Sequence, residues 1–517
     1  MKATARARGG SAASRANWAL VAAVIGSGMS FIDGSAINIA LPVLQRDLHA
    51  SSAGAQWVIE GYSLFLSALM LIGGALGDLY GRRLIYTLGI AVFAAASIAC
   101  GVAPNIESLI AARCVQGIGG ALAVPGSLAL ISAAFSGEAR GRAIGTWSGF
   151  ATVTAAIGPL LGGWLVQSAS WRWVFFINVP LAVAVLAISL LRVDEWRDPD
   201  ADRRLDLPGA ALATLGLGAF IYGLIRLQGA TLDPLGLGAA VAGAVALVAF
   251  VVVERREAHP MVRLDLFASR TFSAANLYTF LLYATLGGSL YFVPFDLINV
   301  QHYPPAAAGA AMLPFIVIMF AFSRFSGGLV ARIGPRVPLA AGAAFVACGF
   351  VVYAFAGVGH SYWTTFFPGA VLLGCGGALF VAPLTTTVMD AVSPSHAGLA
   401  SGINNAISRV SGLIAIAALG IALAAGFEAR LGRELAPAHL SAATRAAIAR
   451  DRSKIVTGVV PPEISVPSER AVVGEAIRNA FADGFRVLML VSALGALLAA
   501  LVGLDRGFSF RARPSSR

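Results

Sequence analysis

Residues 109–163 read LIAARCVQGIGGALAVPGSLALISAAFSGEARGRAIGTWSGFATVTAAIGPLLGG. Two apolar runs flank a short basic loop, SGEARGR. The first run holds one charge in its interior, Arg113, followed by Gln116-Gly117 and Gly119-Gly120. The second closes on Gly158-Pro159-Leu160-Leu161-Gly162-Gly163. A charge at bilayer depth costs roughly 2.5–3.5 kcal/mol on insertion scales, so it needs a partner or a task. A proline flanked by glycines removes a helix hydrogen bond and lets a neighbouring helix come close. The stretch therefore reads as two membrane helices of a protein that moves.

The rest of the chain agrees. Of its 517 residues 58% are hydrophobic and only 12% charged, and the mean hydropathy is +0.79. Repeated apolar runs of about 20 residues make an all-α polytopic membrane protein. The net charge of +11 is scattered through short loops, which argues against a nucleic-acid patch. Cys100, Cys114, Cys348 and Cys375 fall inside apolar runs, without metal or disulfide spacing. No metal site is expected.

Spans are expected near 18–42, 56–77, 84–103, 107–131, 143–168, 174–191, 208–228, 235–253, 273–300, 306–331, 337–358, 364–389, 399–426 and 484–504. These are about fourteen helices, so both termini lie on one side. Loops on the N-terminal side carry about 22 Lys and Arg, including Arg203-Arg204, against about two in the short loops opposite. The positive-inside rule places both termini in the cytoplasm of a bacterial plasma membrane protein. The long segment 427–483 then lies outside, with polar, partly helical stretches and the Pro-rich VVPPEISVP, and reads as a spacer, with a lid as the alternative.

The chain also repeats itself. Gly74 to Arg83 aligns with Gly327 to Arg336, Gly117-Ile118-Gly119-Gly120 with Gly374-Cys375-Gly376-Gly377, and Gly141 with Gly398. The offset is about 255 residues, as expected for parallel repeats in a transporter. Helices 1–6 match helices 9–14, and helices 7–8 are inserted between them. The expected organisation is a tail at 1–17, a six-helix bundle at 18–191, a linker with two extra helices at 192–272, a second six-helix bundle at 273–504, and a tail at 505–517.

Five motifs in order carry a family resemblance: FIDGSAINIALP in helix 1, GALGDLYGRR after helix 2, LIAARCVQGIGGA in helix 4, GPLLGG in helix 5 and WRWVFFINVP into helix 6. Together they resemble the fourteen-helix drug–proton antiporter branch of the major facilitator superfamily. The resemblance covers about residues 18–504 and implies two six-helix bundles plus two inserted helices. It associates Arg113 with proton coupling and Gly158, Pro159, Gly162 and Gly163 with the antiporter motif.

The residues support specific expectations. Asp78 can pair with a basic neighbour or cap a helix N-terminus, and with Gly74, Gly81, Arg82 and Arg83 it forms a candidate conformational latch. The second copy has Ala331 in its place, so only the first half should latch this way. On helix 1, Gly26, Ser27, Ser30, Asp33, Gly34 and Asn38 share an arc of roughly 140°. Asp33 is the first candidate for the coupled proton; the plainer reading is a permanent salt bridge to a buried arginine. Glu60 on helix 2 is the second candidate, or a reader of substrate charge, or a hydrated residue near the surface. Candidate substrate contacts are Asn38, Glu60, Tyr62, Gln116, Tyr291, Phe295, Asp296, Asn404, Asn405 and Arg409. Asp296 also fits an interfacial residue, and Arg226 and Arg324 can snorkel.

The expected function is export of an amphipathic small molecule in exchange for a proton, by a protein acting as a monomer in the bilayer. No cofactor is expected, and GxxxxGK[ST] is missing, so no nucleotide either. A transporter of one metabolite is the nearest alternative. An intramembrane enzyme fits poorly, because His49, His259, His302, His360, His396 and His439 lie in loops or near helix ends. A membrane sensor would differ by the lack of substrate flux.

Overall fold

The computed structural model describes residues 2–508 apart from 51, 198–205, 228–232, 258–259, 261, 263, 360, 439, 451–454, 456–459, 462 and 506–507. Arg203-Arg204, His259, His360, His439 and most of the C-terminal tail therefore lie outside the described residues, as does part of VVPPEISVP. Among the described residues there is no strand.

Fourteen helices there are long and apolar enough to cross a membrane. The first six are α1 (Ser14–Leu41), α2 (Trp57–Tyr80), α3 (Arg82–Gly101), α4 (Ile106–Ala134), α5 (Gly137–Ser168) and α6 (Trp173–Arg192). The inserted pair is α7 (Pro208–Leu227) and α8 (Pro234–Glu254). The last six are α9 (Arg270–Ile298), α10 (Ala307–Ile333), α11 (Arg336–Ala354), α12 (Tyr362–Asp390), α13 (Pro394–Leu435) and α14 (Pro467–Gly503).

The sequence repeat reappears as a repeat of packing. In the first bundle α2 and α3 pack on α4, and α1 on α5; in the second, α10 and α11 pack on α12, and α9 on α13. Small residues make these approaches possible. A Cβ on Gly117 would stand 2.6 Å from the Tyr62 carbonyl oxygen, so α2 and α4 meet backbone to backbone there. The bundles join along α5–α10 and α2–α13. The inserted α7 lies over the second seam, where Leu217, Ile221 and Ile225 pack among Leu64 of α2 and Ala406 and Val410 of α13.

Helix continues beyond the apolar spans in two places. The helix that contains α1 begins at Lys2, within the segment expected to be a tail. The loop expected at 427–483 is largely helix: α13 runs to Leu435, α14 starts at Pro467, and a short helix covers Ala442–Arg450. Apolar residues at helical spacing (Val473, Ile477, Phe481 and Phe485) stay buried in this extension, as do Phe427 and Leu431 opposite them. Its polar side chains pair with each other. Arg430 donates to Glu434 at 2.8 Å, and Asn479 donates to Glu434 at 3.3 Å. Such pairing lowers hydropathy below that of a membrane span without ending the helix.

Candidate functional site

The Asp33 side chain sits on the inner face of α1, fully buried. Arg113 of α4 donates to its Oδ2 at 2.5 Å. Gln116, one turn further along α4, donates to Oδ1 at 2.9 Å, and Asn178 of α6 donates to the same oxygen at 3.0 Å. Both oxygens thus face N–H donors, the arrangement of an ionised carboxylate. Arg113 also donates to the Val58 carbonyl at 2.9 Å and lies under the Tyr62 ring, 4.3 Å from its centroid. One of its terminal nitrogens, Nη2, has no hydrogen-bond partner. Ser97 of α3 accepts from Gln116 at 2.8 Å.

The spacing that places Arg113 and Gln116 on one face is legible in the sequence. Asn178 stands inside WRWVFFINVP, where nothing in the sequence distinguishes it from its neighbours, and Ser97 carries no signal. Gly158 and Gly162 of α5 pack on α1 beside this network. A Cβ on Gly158 would reach the Ile32 carbonyl and the Ser35 side chain, and one on Gly162 the Ala36 backbone. The motif therefore holds α5 against the turns of α1 on either side of Asp33. Gly163 meets only the end of Ile39 at 3.7 Å.

At the end of the molecule bearing the α2–α3 loop, Asp78 bridges the bundles. Its Oδ1 accepts from Gly398 N at 3.1 Å and its Oδ2 from Leu399 N at 2.8 Å, both in the first turn of the α-helical part of α13, which begins at Ala397. Arg82 donates twice to Asp78, at 3.0 and 2.9 Å, and reaches the carbonyls of Ala129 and Pro394. Gly81 has a φ of 122°, which a residue with a Cβ rarely adopts. A segment missed in the sequence completes this corner. Glu195 accepts from the backbone N–H of Arg83 and Leu84, and Trp196 covers Arg82 at 4.0 Å.

The repeat explains why the second corner differs. Gly74 touches Gly398, and their sequence counterparts Gly327 and Gly141 touch each other. Gly398 is the second residue of its α-helix, so its N–H has no acceptor within the helix and goes to Asp78, whereas Gly141 is the fifth of its own, beginning at Gly137. A carboxylate in place of Ala331 would therefore meet, at Gly141, an N–H already spent inside its helix. The second corner is instead bridged by Arg332 donating to Glu138 at 2.8 Å, and Arg140 pairs with Asp390.

Between the bundles lies a cavity of about 630 Å³. Of the substrate contacts expected from sequence, Asn405 and Arg409 line it. Tyr62 and Gln116 belong to the Asp33 network. Asn38 is exposed and donates back to Gly34 at 3.2 Å, while Glu60 is partly buried on α2 outside the cavity wall. Tyr291 is exposed and packs with Phe295 at 5.5 Å. Asn404 ties α13 to α9 through Asn276 and Thr279. Asp296 is fully buried, with Gln301 donating to Oδ2 at 3.3 Å and Oδ1 unpartnered. Arg226 pairs with Asp233, and that hydrogen bond holds the half-buried Asp233 carboxyl below its ordinary range. Arg324 is exposed beside Glu138 and Arg332. Among the described residues no three His, Cys, Asp or Glu cluster as metal ligands do.

Comparison with known proteins adds the following. The family described as Major Facilitator Superfamily matches residues 23–416. Multidrug resistance protein Stp of Mycobacterium tuberculosis (strain CDC 1551 / Oshkosh) is 36% identical over 92% of this chain and 88% of its own. The tetracenomycin C resistance and export protein of Streptomyces glaucescens is 32% identical over 96% and 92%. Among solved structures, the human organic anion transporter MFSD10 aligns with a TM-score of 0.62 at 14% identity, covering 94% of this chain and 99% of that one. The proton:xylose symporter XylE aligns at 0.54 and 16%, covering 95% of each. These two likenesses speak to the fold.

Proposed function

The chain belongs to the major facilitator superfamily, and from that premise we propose that it exports amphipathic drugs or toxic small molecules by proton antiport. The observation that carries the coupling is the Asp33–Arg113 pair, fully buried within α1 and α4. An intramembrane acid is tolerated when paired, neutral or wet. A carrier needs one that passes between those conditions as its bundles rock about the central cavity. With Arg113 against it, Asp33 is held as a carboxylate; withdrawal of Arg113 lets it take a proton. Glu60 is the second candidate for this task. Asp78, with Arg82, serves as the latch of the state seen here, in which the bundles are tied at the α2–α3 end.

Both termini are assigned to the cytoplasm, so the latched end faces inward and the cavity serves the outer side. The moving bodies are 18–191 and 273–504. One proton crossing about 100 mV yields ~2.3 kcal/mol, and one pH unit adds about 1.4 kcal/mol. Together they sustain a substrate gradient of about several hundredfold. The test is proton-gradient-driven flux in proteoliposomes. Asp33→Asn, which mimics a permanently protonated acid, is expected to abolish uphill efflux while substrate binding survives. A normal pH-driven gradient in that variant removes Asp33 from the coupling role and passes it to Glu60.

A further inference from the structure

The cavity wall has an uneven chemistry. Seven helices contribute to it, and among its lining residues there is no Asp or Glu; Arg409 is the one charged side chain. Aromatic rings supply much of the remainder, including Phe31, Trp147, Tyr283, Phe315 and Phe380. Among the described residues Arg409 has no ion-pair or hydrogen-bond partner. The other intramembrane charges nearby, Asp33 and Arg113, neutralise each other behind the Tyr62 ring.

The other polar groups of the wall sharpen the point. Ser408 donates its hydroxyl proton to the Asn405 carbonyl at 2.9 Å, and Thr152 donates its own to Ser148 at 3.1 Å. Asn405 spends its amide on Ser401 at 2.9 Å. These groups have turned their donors back into their own helices. The guanidinium, with five N–H donors and no acceptor, is left as the strong donor of the wall.

We propose that the cavity is built for amphipathic organic anions: a flat aromatic body held by the rings, with a carboxylate, sulfonate or enolate paired to Arg409. The proposal rests on the exporter reading and names its substrate class. It departs from the expectation that Glu60 reads a cation, since Glu60 is not on the wall. A charge facing an apolar cavity without a counter-ion is unfavourable, and an anionic ligand group relieves it through a bidentate contact that a cation or an alcohol cannot make.

The test is binding to the full chain in lipid nanodiscs, read by energy transfer from tryptophan, with Trp147 on the cavity wall, to pyrene. Three probes share one aromatic body: pyrenebutyrate, pyrenebutanol and pyrenebutyl-trimethylammonium. The wild type should bind the carboxylate about tenfold or more tighter than the other two, the weight of one charge-assisted hydrogen bond. Arg409→Gln should bring the three within about threefold of one another, and Arg409→Lys should keep part of the preference. If Arg409→Gln loses the alcohol as well, Ser408→Asp decides, since it supplies a counter-charge beside an intact Arg409 and should remove the preference alone. A wild type without preference for the carboxylate, or a preference that survives Arg409→Gln or Ser408→Asp, overturns the proposal. Proton-driven export of the alcohol without anion preference would sink this inference alone. An Arg409-dependent preference without any proton-driven flux would sink the exporter reading and leave the anion site standing.

Discussion

Asp78→Asn should release the bundles at the α2–α3 end, and the size of the effect follows from which contacts cross between them. Asp78 accepts four hydrogen bonds, but the two from Arg82 stay within one bundle and do not distinguish the states. The bonds from Gly398 and Leu399 cross to α13 and are lost when the bundles part. Only differential contacts bias a conformational equilibrium. Asparagine keeps one acceptor oxygen, turns its amide donor toward the other N–H, and loses the charge that complements the α13 N-terminus. One charge-assisted bond of about 1.5–3 kcal/mol is thus removed from the latched state. With the lost helix-end interaction the shift is about 2–4 kcal/mol, or roughly 30- to 900-fold in the population ratio. Spin labels at Leu84 on α3 and Val337 on α11, both exposed, should show a short distance in the wild type. A longer component should grow strongly in the variant. If the two distance distributions superpose, the bonds to Gly398 and Leu399 do not hold the latched state.

Other outcomes follow from the same contacts. Ala331→Asp should leave those distances unchanged and give no second latch, because Gly141, the residue of α5 that meets Gly327, lies past the first turn and spends its N–H within its own helix; a shift toward the short distance counts against that explanation. Gly141→Ala should favour the parted state, since its Cβ would overlap the Gly327 carbonyl oxygen; an unchanged spin-label distribution would show that the backbones yield at little cost. Asn178→Leu removes a donor to Asp33 with similar bulk. It should slow proton-driven flux about tenfold while leaving downhill exchange close to normal, and equal losses in both assays would point to a structural role. Cysteines at Ser136 and Ser465, both exposed, should label from opposite sides of the membrane, and labelling from one side would overturn the topology.

Helix number and type were legible in the sequence because a bilayer imposes a length on every apolar run, and the runs from Trp57 to Asp390 are found within a few residues of where hydropathy places them. The partnership of Arg113 with a carboxylate of α1 or α2 was legible too, since an intramembrane charge needs a counter-charge and few are available. Which acid it takes was not. Asp33 and Glu60 both stand at plausible depth, and only the packing of α1, α4 and α6 brings Asp33 between Arg113, Gln116 and Asn178. The latch shows the same division. The sequence presents an acid at 78 and an alanine at 331, but the reason lies in where two helices begin, at Ala397 and at Gly137. Hydrogen-bond vacancies at a helix end belong to the fold and leave little mark on composition. The cavity wall is the clearest case. Asn404, Asn405 and Arg409 are neighbours in sequence, yet rotation about the α13 axis sends Asn404 to α9 and the other two to the cavity. Sequence fixes the angle between those side chains; the packing of α13 against α2, α9 and α14 decides which of them meets a substrate.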